Sequence, residues 1–247
     1  MLIGIKVENI TKKLGGRPAL DGISTDFNQG TLHGLIGAEG AGKTTLLRNI
    51  IGLLIPDSGK ITYLNDGKEI SLSSIRESIS YMPGRQSLYP DLSIIEHLNF
   101  FRDLYQIPKE EYLKRKDELL HLARLTEFQK RRASELSGGM YKKLGLICAL
   151  LQSPRALLLD EPTNGVDPIS RREFWDLLYQ LAQEKILIII STAYMDEAER
   201  CTKVHLIDHG KLLACGEPRE ILQREGVKSF DQFFLRKEEI LNHGASK

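Results

Sequence analysis

Polar and apolar positions alternate over Met1 to Ile10, with Ile3, Ile5 and Val7 on one side, and again over Ile23, Thr25 and Phe27. A period of two predicts half-buried strands, and Gln29-Gly30 turns the chain into a third, short buried strand, Leu32-His33-Gly34-Leu35-Ile36. Thr45 to Ile51 then carries apolar residues at helical spacing, and further strands are expected at Lys60 to Leu64 and Ile79 to Met82. From Pro83 the period becomes helical. Ser93-Ile94-Ile95-Glu96 has the form of a capping box, and Pro108 separates that helix from a charged one through Leu113, Leu119, Leu120 and Ala123. This helical insert covers about residues 84–152. Ala156-Leu157-Leu158-Leu159-Asp160 is an unbroken apolar run ending in a carboxylate, as expected of a central parallel strand buried on both faces. Asp167-Pro168 opens a helix that buries Phe174, Leu177, Leu178 and Leu181, a second buried strand runs from Ile186 to Ser191, and His209-Gly210 turns a terminal hairpin. The succession predicts an α/β fold: a mostly parallel sheet core with an N-terminal antiparallel β subdomain and a helical insert. The main domain is expected at 1–225, with a loosely anchored C-terminal tail at 226–247.

Composition narrows the class without changing this picture. A chain of 247 residues, 41% hydrophobic and 27% charged, forms a core without disulfide support. Its net charge of +1 argues against nucleic acid as a partner, and the run Lys130-Arg131-Arg132 reads as solvated surface. Cys148, Cys201 and Cys215 are odd in number and scattered, which points to a reducing compartment. The N-terminus reads as a strand, not as a signal peptide. No apolar run approaches the roughly 18–20 residues of a membrane span, so work at a membrane is expected to need another chain.

The chemistry gathers at three places. Gly37-Ala38-Glu39-Gly40-Ala41-Gly42-Lys43-Thr44, followed by Thr45, joins the third strand to its helix. Glycines at 37, 40 and 42 can take backbone angles closed to other residues, so successive N–H groups can turn inward on an anion at the positive end of the helix. In a strand-loop-helix context this pattern cradles the phosphates of a nucleotide. Lys43 is expected to reach the β- and γ-phosphates and Thr44 to place its hydroxyl on Mg²⁺. Asp160 and Glu161 end a strand that a parallel sheet brings beside this loop. Asp160 fits the carboxylate that holds Mg²⁺ with Thr44, and Glu161 fits the base that orients or polarises the attacking water. Third, Ser137-Gly138-Gly139-Met140 opens a helix whose apolar residues Leu144, Ile147, Cys148 and Leu151 share one face. Ser137 can cap that helix and donate to phosphate, while Gly138 and Gly139 let a phosphate approach the backbone.

In this order the three motifs resemble the Walker A, signature and Walker B motifs of ABC transporter ATP-binding subunits, and the likeness covers nearly the whole chain. Lys142-Lys143-Leu144 after the signature, Leu158 to Pro162 continuing through Gly165-Val166-Asp167-Pro168, and Tyr194-Met195-Asp196-Glu197-Ala198-Glu199 resemble more narrowly the ATPases of ABC-2-type, multidrug-like exporters. The resemblance implies the ABC-type nucleotide-binding domain with its RecA-like core. It also implies ATP hydrolysis coupled to a separate membrane permease, and a peripheral location on the cytoplasmic face of the cell membrane. Such subunits dimerise head to tail, each ATP lying between one subunit's phosphate loop and the other's signature motif. Asp167 matches the D-loop aspartate that communicates across that interface. A groove around Gly84 to Phe101 is expected to receive a permease helix, with Leu88, Tyr89, Leu92 and Phe100 as candidate contacts.

Several positions depart from the family pattern. Leu14 stands where an aromatic side chain stacks on adenine, leaving only apolar contact. Gly84 stands at the position of the glutamine that senses Mg²⁺ and the γ-phosphate, with Gln86 two residues further on. Ala193 replaces the switch histidine, and Ala38-Glu39 replaces Pro-Asn or Pro-Asp. His205 and His209 are read as surface residues, not as replacements. Loss of one oriented contact to developing charge costs about 10²- to 10³-fold in rate, so a site that binds better than it turns over is expected. The intact signature motif favours a heterodimer with a second, fuller ATP-binding subunit. The alternatives are a competent homodimeric ATPase and a regulatory module that uses ATP as a dimer clamp. A soluble relative acting on DNA or ribosomes would carry long coiled-coil insertions or a second cassette, and neither is visible.

Overall fold

The computed structural model describes residues 3–85 and 87–244, with side chains as far as Glu239; Gln86 therefore lies outside the described residues. Alternation over the first residues forms β1 (Ile3–Leu14) and β2 (Arg17–Asn28), and β3 (Leu32–Ile36) leads through a loop into α1 (Lys43–Ile50). Next come β4 (Ser58–Asn65), β5 (Lys68–Ile70), the single turn α2 (Leu72–Ile75) and β6 (Ile79–Met82). The helical segment holds α3 (Ile94–Leu104), α4 (Lys109–Leu122) and α5 (Gly138–Leu150). The chain returns through β7 (Ala156–Asp160), α6 (Pro168–Gln183) and β8 (Leu187–Thr192). It closes with the hairpin β9 (Lys203–Asp208) and β10 (Lys211–Gly216), then α7 (Pro218–Glu225) and α8 (Phe230–Gly244).

Two sheets result, an antiparallel one ordered β2-β1-β4-β5 and a six-stranded one ordered β10-β9-β3-β8-β7-β6. The larger sheet is parallel except at its β9–β10 hairpin. Its central strands are covered on both sides, which explains their unbroken apolar runs. Leu157 and Leu159 of β7, with Ile188 and Ile190 of β8, pack among the helices. Ala156, Leu158, Leu187 and Ile189 point the other way and pack with β1, β2 and α1. The capping box of α3 forms as expected: the Ser93 N–H donates to Glu96 Oε2 at 2.8 Å and the Glu96 N–H to Ser93 Oγ at 3.4 Å. Asp167 caps α6, which buries Trp175 beside the four expected residues. The Trp175 indole N–H and the Thr163 hydroxyl both donate to the fully buried Glu197, at 2.9 and 3.2 Å.

Two expectations are corrected here. The tail beyond 226 is anchored through α8, whose Phe230 and Phe233 are buried in the helical core; two aromatic rings supply enough apolar area to hold a short amphipathic helix. His205 is fully buried, because it sits on the inner face of β9 opposite β2. The Asn28 N–H donates to His33 Nε2 at 3.0 Å, His33 Nδ1 lies 3.0 Å from His205 Nε2, and His205 Nδ1 lies 2.7 Å from the Thr25 hydroxyl. That chain closes with both imidazoles neutral, each donating once and accepting once. His209, by contrast, is exposed on its turn as expected.

Burial lowers the His33 pKa to about 4, with Lys203 adding to the effect and the Asn28 carbonyl and Asp26 opposing it. Burial pushes His205 well below the ordinary histidine range, helped by His33 and Lys203. The unfolded chain takes up these protons near pH 6.5 and the native chain does not, so stability is fully present above that pH and is lost as pH falls towards 4. The expected loss from His33 alone is about 3 kcal/mol. Urea unfolding should show the midpoint falling between about pH 7 and pH 5, above most carboxylate titration. A midpoint that stays level over that window would remove the pair from the acid response.

Candidate nucleotide-binding site

Strand register sets the site. Ile36 pairs with Thr192, Ser191 with Asp160, and Leu159 with Met82. The next residues, Gly37, Ala193, Glu161 and Pro83, therefore open together at the carboxyl edge of the parallel strands, where open α/β sheets hold their ligands. A cleft of about 530 Å³ lies there, and Leu14, the loop from Glu39 to Thr45, Gly84, Asp160, Glu161 and Asn164 contribute to its walls. Leu14 is 45% exposed at the rim, an apolar side chain without an aromatic face. Glu39 is exposed at the cleft wall, where water weakens the repulsion an acid exerts on phosphate.

Gly40 and Gly42 have φ of 81° and 110°, values that only glycine takes without strain. Gly37 meets a different demand from the one expected of it. Its φ is ordinary, but a Cβ there would overlap the Ile207 carbonyl oxygen of β9. Lys43, 3% exposed, donates to the carbonyls of Gly37 and Ala38 at 2.8 and 2.9 Å, and its Nζ lies 3.3 Å from Glu161 Oε1. The ammonium is thus held over the loop by groups that a phosphate can replace.

Asp160 is buried and accepts three hydroxyls. Thr44 and Ser191 donate to Oδ1 at 2.9 and 2.7 Å, and Tyr81 donates to Oδ2 at 3.0 Å. Burial, with the Asp160 charge adding to it, pushes the Tyr81 pKa up to about 12, so its phenol remains a donor. Glu161 sits at φ 46°, a left-handed conformation that costs a side-chain-bearing residue about 1 kcal/mol or more. Its N–H donates to Ser191 O at 3.1 Å and Ser191 Oγ at 3.0 Å, which holds that conformation. The Asn164 amide donates to Glu161 Oε2 at 3.2 Å and fixes the other end of the side chain. Lys142 from α5 donates to the carbonyls of Gly84 and Glu161 at 3.0 and 3.3 Å. Burial lowers its pKa, opposed by the Glu161 and Asp160 charges.

Beside Ala193 a cavity of about 180 Å³ is lined by Glu39, Glu161, Asn164, Thr192 and Tyr194. The signature residues and Asp167 contribute nothing to the cleft of their own chain. Ser137 accepts from the Met140 N–H at 3.3 Å and caps α5, and Ser137 and Gly138 are exposed. Gly139 is buried, since a Cβ on it would overlap Ser170 of α6, a packing demand the sequence did not reveal. Asp167 accepts from the Ile169 and Ser170 N–H groups at 3.1 and 2.9 Å.

The structure brings the glycine-spaced loop and both expected carboxylates together, and the groups that hold them were less legible in the sequence. Ser191 was legible as a polar residue closing an apolar run. Asn164 follows Glu161 at turn spacing, a weak signal. Tyr81 had none, and Lys142 was legible only as part of the motif after the signature, because their partners lie on segments distant in sequence. The residues present fit a magnesium nucleotide: hard oxygens from Thr44 and Asp160 meet at 2.9 Å, as this small, hard cation requires, beside a nearly buried ammonium and the N-terminus of α1.

The pattern of the ABC transporter family matches residues 20–164. The chain is 42% identical over 228 residues to the "Probable multidrug ABC transporter ATP-binding protein YbhF" of Escherichia coli (strain K12), covering 92% of this chain and 39% of that protein. It is 34% identical over 222 residues to the "Nod factor export ATP-binding protein I" of Ralstonia nicotianae, covering 90% of this chain and 69% of that one. Among solved structures, that of an ATP-binding subunit of an ABC transporter superposes with a TM-score of 0.81 at 27% identity, over 94% of this chain and 98% of the other. With the phosphate loop, the paired carboxylates and the two-sheet architecture in place, this chain belongs to the ABC transporter family as an ATP-binding domain.

Proposed function

We propose that this chain energises an exporter: it binds MgATP and couples ATP binding and hydrolysis to a separate membrane permease. The observation that carries the reading is the meeting of Lys43 with Glu161 at 3.3 Å and of Thr44 with Asp160 at 2.9 Å, at the ends of two strands separated by β8. Loop 37–45 would hold the phosphates, Thr44 and Asp160 the Mg²⁺, and Glu161, steadied by Asn164, the attacking water. Mg²⁺ supplies charge neutralisation between the phosphates; the chain's own groups position the nucleophile and the γ-phosphate.

The printed names of the two relatives, one multidrug and one Nod factor export, support export as the direction. A dimer supplies what the isolated chain lacks, since Ser137 and Gly138 are exposed and absent from their own cleft, and Asp167 and Ile169 lie exposed on the same molecule. Among the described residues no helix is long and apolar enough to cross a membrane. A separate permease on the cytoplasmic face of the cell membrane then completes the transporter, docking at an apolar groove of about 590 Å³ lined by Leu53, Leu88, Phe101 and Tyr105. Tyr89 and Phe100, both exposed and in edge contact at 5.3 Å, extend that surface.

Gly84 and Ala193 make this subunit's own site slow, with the faster chemistry in a second ATP-binding subunit that receives Ser137. The purified chain with MgATP should turn over at a small fraction of the rate of a reconstituted heterodimer, about 10²-fold less. Brisk turnover by the chain alone, abolished by Glu161→Gln, would overturn the slow-site reading in favour of a competent homodimer. ATP-dependent dimerisation without turnover in either assembly would favour the clamp.

A further inference from the structure

The loop after β6 has no side chain where the family pattern sets a glutamine, and its backbone lies against the catalytic strand end. A Cβ on Gly84 would come within 2.8 Å of the Asp160 carbonyl oxygen, so a side chain fits there only if the loop moves. Lys142, in the first turns of α5, spans this contact and donates to the carbonyls of Gly84 at 3.0 Å and of Glu161 at 3.3 Å. One residue earlier, the Tyr141 hydroxyl accepts the Leu88 N–H at 2.9 Å. The helix that opens with Ser137 therefore holds the loop after β6 at two points and the Glu161 backbone at a third. Leu88, at the far end of that loop, lines the apolar groove with Phe101 and Tyr105. A merely space-filling role would need only the aliphatic stem of Lys142, whereas bringing its ammonium out of bulk water onto two carbonyls costs desolvation that charge-assisted bonds must offset.

We propose that Lys142 is a positioning residue that ties α5 to the Gly84 and Glu161 carbonyls and so couples the strand end at Glu161 to the loop after β6. It passes the state of the phosphate cleft to the loop that lines the apolar groove. The inference rests on the nucleotide-binding reading above and adds the path by which the bound state is read out.

Amide hydrogen exchange with and without a non-hydrolysable Mg²⁺–ATP analogue tests it. In the unaltered chain the analogue should slow exchange about tenfold in the phosphate loop and also in the segment Leu88 to Leu92. In Lys142→Met, at saturating analogue, the phosphate loop should stay protected while the slowing at Leu88 to Leu92 falls below about twofold. Lys142→Arg, which keeps a charged donor, should restore it. Full slowing at Leu88 to Leu92 in Lys142→Met overturns the proposal. Absence of protection in the phosphate loop of the unaltered chain overturns the nucleotide reading itself, and this inference with it. Should Lys142→Met not fold, Lys142→Gln, with a shorter neutral donor, is read by the same two segments.

Discussion

Ala193→His is expected to raise the steady-state ATP turnover of the isolated chain by about ten- to a hundredfold. The residue sits at the exit of β8, beside a cavity of about 180 Å³ walled by Glu39, Glu161, Asn164, Thr192 and Tyr194. That space has room for an imidazole, which would bring an N–H donor beside Glu161. The turn that would carry it is already fixed, since the Tyr194 N–H donates to Thr192 Oγ1 at 3.0 Å. With Glu161 held by Asn164 and by its own backbone, the slow-site proposal assigns the deficit to a donor to developing charge, the class of contact worth about 10² to 10³ in rate. Ala193→Phe fills the same cavity without donating and serves as the control. If Phe accelerates turnover as much as His, filling the cavity is what matters; if neither does, Ala193 loses its part in the slow-site account.

Lys43→Ala should weaken MgATP binding about 10²-fold or more while leaving the fold intact. The Lys43 ammonium is nearly buried at the mouth of the loop, bound to two carbonyls of its own turn and close to Glu161. A phosphate arriving there exchanges those contacts for charge-assisted bonds in a partly desolvated cleft; among the described residues Lys43 is the one lysine lining it, with Arg48 and Arg85 also on its walls. Alanine removes the charge, and the carbonyls freed at the loop's mouth can turn to water. Calorimetric titration with MgATP reads the affinity and thermal unfolding reads the fold. Binding within about threefold of the unaltered chain would show that the loop amides alone hold the phosphates, and Lys43 would lose its assigned part.

Local signals carried much of the fold. Alternation at Ile3, Ile5 and Val7, unbroken apolar runs in β7 and β8, the Ser93–Glu96 box and the Asp167-Pro168 start of α6 each report an interaction between residues close in sequence or a burial pattern repeated along one element. The tail was misread because Phe230 and Phe233 are buried against elements distant in sequence, and no local pattern announces which distant surface will accept two rings. His205 was misread for a related reason. A histidine in a strand looks solvent-facing until a second histidine, His33 of β3, and Thr25 of β2 arrive to satisfy both ring nitrogens.

Which groups could hold a phosphate was legible in the chain alone, because the glycine-spaced loop, Lys43 and Thr44 act within one turn of chain, and the end of an apolar run marked Asp160 and Glu161 as neighbouring carboxylates. How those groups are held emerges with the closed fold. The parallel register sets Gly37, Ala193, Glu161 and Pro83 on one edge; three hydroxyls from β6, β8 and α1 meet on Asp160; and a lysine of α5 reaches two carbonyls. Gly37 and Gly139 make the same point, since each is required by the close approach of a distant segment and not by its own backbone angles. Backbone conformation and periodicity are short-range properties that a sequence displays directly. Hydrogen bonds and steric limits between remote segments come into being only when the sheet closes and brings them within about 3 Å of one another.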